Sequence, residues 1–512
     1  MTAQAQSQMG GNRVAITVCV MLATLMQSLD TTIANVALPY MQGSVSASQD
    51  EIGWVLTSYL VAAAIMTPAT GYLVGRFGLK RLFLGCVAGF VVASMLCGMA
   101  QSLVQIVLFR VLQGVFGAAL VPLSQSTLID INPEERRGSA MALFSIVVMA
   151  GPVFGPVLGG WLTANYGWRY IFYINLPVGL LAFFGMMTFL KDTARNTTAK
   201  LDWFGFGALS LVIGALQVLL DRGEELDWFS SREIVTEAII GAAALYLFLV
   251  HIFTARAPFV RPSLFHNRNY AAGALFGVVI GLTYYASLAL QPPFLQNLMN
   301  YPIVSAGLVM APRGLGTMGA MLIVGRLVGR VDTRLMLAIG LGLTAWSFST
   351  MTGWTPDVSR GAIIGVGVVQ GVGLSFLTVP INFVTLLSLS SETRAEGAGF
   401  STLMRNLGSS AGIAVVNALL TRNTQINHAA IAQHVTAVNR GFEGPMIAQF
   451  WNPATAAGRA ALDAVVTRQA QIIAYIDDYK LLLIATLTVI PLLLVFKKPS
   501  GGGAPAQSIA VE

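Results

Sequence analysis

Charge is what this chain has least of. Asp, Glu, Lys and Arg make up 10% of its 512 residues, where soluble domains carry roughly 25%. That scarcity argues against a water-soluble fold, and a hydrophobic content of 55% with a mean hydropathy of +0.70 points to a chain embedded in a membrane. Cysteine is nearly missing. Cys19, Cys86 and Cys97 are odd in number and lie within apolar runs, so no disulfide framework is implied. Histidine offers no ligand constellation, since His251, His266, His428 and His434 are scattered and the last two fall in a polar stretch. No G-x-x-x-x-G-K-[ST] loop occurs, so ATP-driven chemistry is not expected. The short alternating segments of a transmembrane β-barrel are lacking too.

What is present instead is a series of apolar runs, each close to the 20 or so residues that cross a 30 Å hydrocarbon core as helix. They lie near 14–38, 52–74, 82–100, 103–127, 139–163, 170–190, 203–220 and 234–254. Six more follow near 270–296, 303–328, 335–353, 360–387, 396–420 and 479–496. The expected class is an all-α polytopic membrane protein with about fourteen transmembrane helices. An even count puts both chain ends on one side. The polar N-terminus leads into a full span, so no cleaved signal peptide is expected.

The net charge of +7 and pI near 9.4 could suit a nucleic-acid partner. The placement of the basic residues favours another reading. On the side of the N-terminus fall Arg13, Arg76, Lys80, Arg81, Arg136, Arg137, Lys191, Arg195, Lys200, Arg256, Arg261, Arg268, Arg326, Arg330, Arg334, Lys497 and Lys498. The short loops of the opposite side hold only Arg169, Arg222, Arg232 and Arg360. Positive charge gathers on the cytoplasmic side of such proteins, so both termini are expected there and no nucleic acid is expected as a partner. The 421–478 connection then reads as a long, polar, external loop with amphipathic helix in it.

One segment is repeated. GYLVGRFGLKRLF (71–83) is echoed by GRLVGRVDTRLML (325–337), each after the second span of a group of six. Gly71, Leu73, Val74, Gly75 and Arg76 pair with Gly325, Leu327, Val328, Gly329 and Arg330. Two related halves separated by an inserted pair of spans account for the echo, an arrangement that transporters use around a central site.

Four motifs then align with a known family. LDTTIANVALP (29–39) resembles the first-span motif of the EmrB/QacA type of drug:proton antiporter, the fourteen-span branch of the major facilitator superfamily. GYLVGRFGLKR resembles the superfamily's loop motif between spans two and three, with Gly71, Arg76 and Gly78 in place and Arg330 in the second copy. RVLQGVFGAALVP (110–122) resembles the fourth-span motif, and GPVFGPVLGGW (151–161) with WRYIFYINLPVG (168–179) resembles the fifth-span antiporter motif and the segment after it. In the C-terminal half the likeness is looser, carried by the loop repeat, APRGLGTM (311–318) and FSTLMRNLGSSAGIA (400–414). The superfamily usually has Asp where this chain has Gly75, so a gating contact through that carboxylate is not carried over. The resemblance implies the major facilitator fold: an N-terminal six-helix bundle (1–190), an inserted helix pair with linkers (191–262), a C-terminal six-helix bundle with the external loop (263–496), and a disordered cytoplasmic tail (497–512).

Physical chemistry bears on the same residues. A charge at mid-helix costs roughly 2.5–3.5 kcal/mol on insertion scales, so it faces a cavity or a partner. Asp30 is the clearest such carboxylate. Carboxyl groups in low-dielectric sites hold protons more readily than in water, and a neighbouring guanidinium opposes this. Asp30 could load and release protons, or it could simply tie helices together by hydrogen bonds. Arg110 carries the family's proton-coupling role by resemblance; a fixed ion pair or a clamp on carbonyls is the alternative. Gly151, Gly155 and Gly159 share one helix face with Pro152 and Pro156 between them, which suits either a seal against leak or ordinary close packing. Arg313 and Arg405 are further charges inside spans, open to a substrate role or to pairing with backbone carbonyls. Tyr284, Tyr285 and Gln291, beside the Pro292–Pro293 break, and Gln27, one turn before Asp30, are candidates to line a cavity or to pack.

The resemblance implies a proton-coupled multidrug exporter of the bacterial inner membrane, a secondary transporter and not an enzyme. Lipophilic compounds would be its substrates, the proton its coupling ion, and no cofactor or metal is implied. The balance of Asp30 against Arg110, Arg313 and Arg405 favours anionic or neutral substrates over cations. A dedicated carrier of one metabolite, a fatty acid or siderophore for instance, would share most of these motifs. The partners implied are membrane lipids, an EmrA-like periplasmic adaptor and an outer-membrane channel. The 421–478 loop would face the adaptor, or act as a cap over the cavity.

Overall fold

The computed structural model describes residues 3–48, 51–191, 201–255, 258–435, 451 and 455–496. Arg195, Lys200, Arg256, Lys497, Lys498 and the 497–512 tail lie outside the described residues. Among the described residues there are fourteen long helices. The first eight are α1 (Ala3–Ser44), α2 (Trp54–Phe77), α3 (Leu79–Met99), α4 (Leu103–Ile131), α5 (Glu134–Tyr166), α6 (Tyr170–Phe189), α7 (Trp203–Arg222) and α8 (Arg232–Thr254). The rest are α9 (Arg268–Leu298), α10 (Ile303–Leu327), α11 (Thr333–Met351), α12 (Arg360–Leu387), α13 (Ser391–Ala432) and α14 (Ala456–Val495). Among the described residues twelve helices are long and apolar enough to cross a membrane. The other two, α11 and α13, stand at the expected spans 335–353 and 396–420 but carry more Ser, Thr and charge. No strand occurs among the described residues, and this is a multi-pass membrane protein.

The helices sort into two groups and a pair. α1 packs on α4, α5 and α6, while α2 and α3 pack on α4. α12 packs on α9, α10 and α11, and α14 packs on α11 and α13. α7 and α8 lie against each other, and α7 touches one helix of each group, α2 and α13. Gln217 on α7 and Ser410 on α13 exchange hydrogen bonds of 2.9 and 3.1 Å. On the other side Thr57 of α2 donates to Asp221, and the Arg222 guanidinium lies 5.4 Å from the Trp54 ring.

The apolar core shows how the two groups meet. At the end where the chain begins, one continuous core draws on all twelve helices of both groups, from Val20 and Phe144 to Phe276, Met321 and Phe496. At the opposite end there are two separate cores. Ile33, Met41, Val55, Trp168 and Phe172 form one, and Phe294, Phe348, Trp354, Tyr475 and Tyr479 form the other. The halves are therefore welded at one end and independent at the other.

Three local features differ from the sequence expectation. The 421–478 stretch is not mainly a loop: α13 runs on to Ala432 and α14 begins at Ala456, so the last two spans extend as one helical hairpin. Residues 436–450 and 452–454 of it lie outside the described residues. His428 and Asp463 join its two arms at 2.9 Å, and Arg468 donates to the Leu298 carbonyl at 2.7 Å. Helix α9 continues through Pro292 and Pro293, with π-turns at Gly281–Tyr285 and Phe294–Leu298 on either side of them. The loop repeat is also offset in structure. The first copy stays helical through Gly75 to Phe77 and turns at Gly78 with φ +86°, whereas the second ends at Leu327 and turns at Gly329 with φ +86°. Both turns need glycine, because that φ is strained for any residue with a Cβ.

Candidate functional site

Asp30 sits about two-thirds of the way along α1, where the shared core gives way to the separate one, and it is 2% exposed. Its burial is fully compensated. Arg110 Nη1 donates to Oδ2 at 2.7 Å, while Gln113 Nε2 and Asn175 Nδ2 donate to Oδ1 at 2.8 and 3.0 Å. Arg110 is itself wholly buried. Its Nε donates to the Val55 carbonyl at 3.0 Å, its Nη1 also reaches Gln113 Oε1 at 2.8 Å, and it lies 4.3 Å over the Tyr59 ring and 5.7 Å from that of Phe172. Asn175 is aimed by Ser94, whose hydroxyl accepts from it at 2.9 Å and donates to the Phe172 carbonyl at 2.8 Å. Five helices thus converge on one carboxylate. In a low-dielectric interior such a pair holds because both carboxylate oxygens and the guanidinium have hydrogen-bond partners.

Sequence reasoning named Asp30 and Arg110 but passed over Gln113, Asn175, Tyr59 and Ser94. A signal was available for Gln113, which lies three residues after Arg110 and so on the same face. Asn175 sits inside the WRYIFYINLPVG segment, but nothing in its spacing aims it at Asp30. Gln27 donates to the Tyr59 hydroxyl at 3.3 Å, at the edge of this network.

The glycine face of α5 lies flat on α1 around the carboxylate. A Cβ at Gly151 would strike Ser28, one at Gly155 would strike Thr32, and one at Gly159 would come within 3.1 Å of Ile33. Pro152 has no N–H for the Val148 carbonyl one turn back, and the Ser28 hydroxyl donates to that carbonyl at 2.6 Å. Thr32 Oγ1 likewise donates to the Gly151 carbonyl at 2.9 Å. Close packing is what the glycines permit, and Pro152 frees a carbonyl that α1 uses.

The loop copies seal the welded end crosswise. Gly71 at the end of α2 abuts Glu396 at the start of α13, and Gly325 at the end of α10 abuts Gly138 and Ala142 at the start of α5. Arg394 of α13 also pairs with Asp130 of α4. Arg330 is exposed at this end, and Arg76 is partly covered.

The remaining candidates fall in the second half. Tyr284, Tyr285 and Arg405 line a small cavity between the halves, facing Phe144, Val148 and Met149 of α5. Arg313, 3% exposed, lies behind Tyr284 with its guanidinium 4.8 Å from the ring, and its Nη1 donates to Gln291 Oε1 at 2.8 Å. Its Nε and Nη2 have no hydrogen-bond partner among the described residues. Gln27 and Gln291 do not line the cavity. Among the described residues no group of His, Cys, Asp and Glu could hold a metal ion.

Comparison with known proteins places this geometry. The family model described as Major Facilitator Superfamily matches residues 20–413. The fatty acid resistance protein FarB of Neisseria gonorrhoeae is 35% identical over 494 residues, 95% of this chain and 97% of that protein. The multidrug export protein EmrB of Escherichia coli (strain K12) is 35% identical over 435 residues, 84% of each chain. Among solved structures, the human organic anion transporter MFSD10 aligns with a TM-score of 0.57 over 93% of this chain and 99% of that one. At 14% identity that likeness speaks of fold alone.

Proposed function

The chain belongs to the major facilitator superfamily, and from that premise we propose that it is a proton-driven exporter of lipophilic compounds. The observation that carries the proposal is a buried, ion-paired carboxylate, Asp30, on the helix that packs against the α5 wall of the cavity. Ionised, Asp30 accepts from Arg110, Gln113 and Asn175 and holds α1, α4 and α6 together. Protonated, it loses the charge that balances Arg110, and one acceptor oxygen becomes a donor. Arg110 then retains only carbonyl, amide and ring partners, so the grip between these helices loosens. The change can reach substrate by a short route. Ser28, two residues from Asp30, is bonded to the Val148 carbonyl, and Val148 lines the cavity.

In this reading the welded end is cytoplasmic, as the basic residues there suggest, and the membrane is a bacterial inner membrane. The halves part at that end to admit substrate and close again to release it outward. Each proton moving inward supplies about 2.3 kcal/mol per 100 mV of membrane potential. The E. coli and Haemophilus influenzae relatives named for multidrug export support the substrate range. A second reading, export dedicated to one fatty acid, is favoured by the FarB likeness over nearly the whole chain. The α13–α14 hairpin projects opposite the welded end, the side on which an adaptor leading to an outer-membrane channel would dock.

The test is proton flux in proteoliposomes against chemically varied substrates. Asp30→Asn, which preserves shape, should abolish substrate-dependent proton movement while leaving the protein inserted. Undiminished export against a gradient by that variant, with normal proton exchange, would remove Asp30 from the mechanism.

A further inference from the structure

The cavity between the halves carries positive charge that its own walls do not neutralise. Two adjoining hollows share Ile280, Thr378, Asn382 and Arg405, and no Asp or Glu lines either. Arg405 is only partly covered, and among the described residues it has no hydrogen-bond or ion-pair partner. One ring deeper, behind Tyr284, Arg313 presents two unpartnered N–H edges in a site that is 3% exposed. Across the seam the walls are apolar and soft, with Phe144, Val148 and Met149 on one side and Met321 and Leu374 on the other. Asp30 offers no relief, because its oxygens are already taken by Arg110, Gln113 and Asn175.

Buried guanidinium groups are costly unless paired. Arg110 meets that requirement through Asp30, whereas buried Arg313 has only the Gln291 amide oxygen as acceptor and half-buried Arg405 has no ion-pair partner among the described residues. We infer that the substrate supplies the missing counter-ion: the cavity selects lipophilic monoanions, with Arg405 receiving the anionic group and Arg313 a second donor behind Tyr284. The apolar remainder of the molecule lies against the α5 wall. This rests on the export reading above and narrows it to one charge class. A cation in the same place would face one or two guanidinium groups with no carboxylate to offset them. In the present arrangement the cavity volume is about 30 Å³, so an occupant enters only as the halves separate.

Three probes share size and apolar character and differ in charge: anilinonaphthalene sulfonate (anionic), phenylnaphthylamine (uncharged) and tetraphenylphosphonium (cationic). Proton-driven accumulation of each is measured in proteoliposomes holding the full chain. The wild type should favour the sulfonate over its uncharged counterpart. Arg405→Gln should lower kcat/KM for the sulfonate by roughly 10- to 100-fold, the worth of a charged hydrogen bond, with phenylnaphthylamine changed less than about two-fold. Arg405→Lys should restore most of the anion rate, which excludes a folding defect as the cause. Arg313→Gln should cause a smaller loss, again confined to the anion. Equal losses for all three probes, or a wild type that prefers tetraphenylphosphonium, would overturn the anion inference and leave export standing. A wild type that accumulates none of the three against a gradient sinks both.

Discussion

The two halves carry the same scaffold with different chemistry on it. Ser287 stands 257 positions after Asp30, and the same step takes Arg110 to Gly367, Gln113 to Gln370, Gly114 to Gly371 and Gln27 to Tyr284. The contacts repeat with the residues. Gln113 donates to Asp30 at 2.8 Å, and Gln370 donates to Ser287 at 3.2 Å. A Cβ on Gly114 would meet the carbonyl of Tyr59, and one on Gly371 would meet the carbonyl of Arg313. Tyr59 and Arg313 are themselves matched, 254 positions apart like the paired loop glycines Gly71 and Gly325. In the first half the fourth helix supplies the guanidinium and the second helix the ring above it. In the second half the second helix supplies the guanidinium and the first helix the ring, Tyr284. At the position matched to Asp30 the second half has no carboxylate, and Ser287 stands there. One half closes an ion pair between Asp30 and Arg110, while in the other Arg313 makes no ion pair among the described residues.

That contrast makes its largest difference when each arginine is removed. Arg110→Ala leaves a buried carboxylate with two amide donors, a loss of about 3–5 kcal/mol for one partner of a buried pair. Arg313→Ala removes a charge that no carboxylate balances among the described residues and breaks one bond to Gln291, so its cost should be smaller. Thermal or denaturant unfolding in one detergent compares the two directly. Similar large losses for both would mean that Arg313 has a counter-ion in the folded protein and that the halves are electrostatically alike.

The helices and their order were legible in the sequence because apolar runs of span length need no tertiary information. Asp30 and Arg110 were legible because charge is rare in such runs, which makes each instance conspicuous. Asn175 was not, since an amide in a span costs less than a charge and nothing in its spacing aims it at Asp30, while Gln113 could be found only through its place on the Arg110 face. The match of Arg110 with Gly367 was hidden for a physical reason. Duplicated helices keep the small residues that set backbone distance, while the polar groups between them move from one helix to the next. The loop repeat was visible through its glycines, yet the turn itself fell at Gly78 in one copy and Gly329 in the other.

A smaller effect would sharpen the likeness of the scaffolds and not their contrast. Gly114→Ala and Gly371→Ala each place a methyl group against a facing backbone carbonyl, which cannot swing aside as a side chain can. Each should cost roughly 1–3 kcal/mol, the range for overpacking, and the two losses should be equal within error. Gly367→Ala is the control, because its Cβ would rest 3.4 Å from the Arg313 Cβ at ordinary contact. If Gly371→Ala unfolds like wild type while Gly114→Ala does not, the helix approach is not shared and the 257-residue correspondence fails.

The smallest effect expected lies outside both halves, in the inserted pair that grips each of them. Asp202 caps α7 through the Gly205 N–H at 2.9 Å, accepts from the Phe259 N–H at 3.0 Å, and meets His251 of α8 at 2.8 Å. Burial alone would raise its pKa, but these hydrogen bonds and the imidazole outweigh burial and hold the carboxyl below the ordinary Asp range. A pKa lowered by folding contributes stability that is present above the unfolded value, about 3.9, and is lost as pH falls through the folded one. Asp202→Asn should therefore unfold at a lower temperature than wild type near neutral pH. The gap should narrow on acidification below about pH 4, as the wild-type carboxyl takes up its proton. Since α7 touches both halves and belongs to neither, this variant should leave the ratio of anionic to uncharged substrate transport unchanged. A shift in that ratio would show that the inserted pair takes part in selecting substrate, and the two-half account of selectivity would have to include a third member.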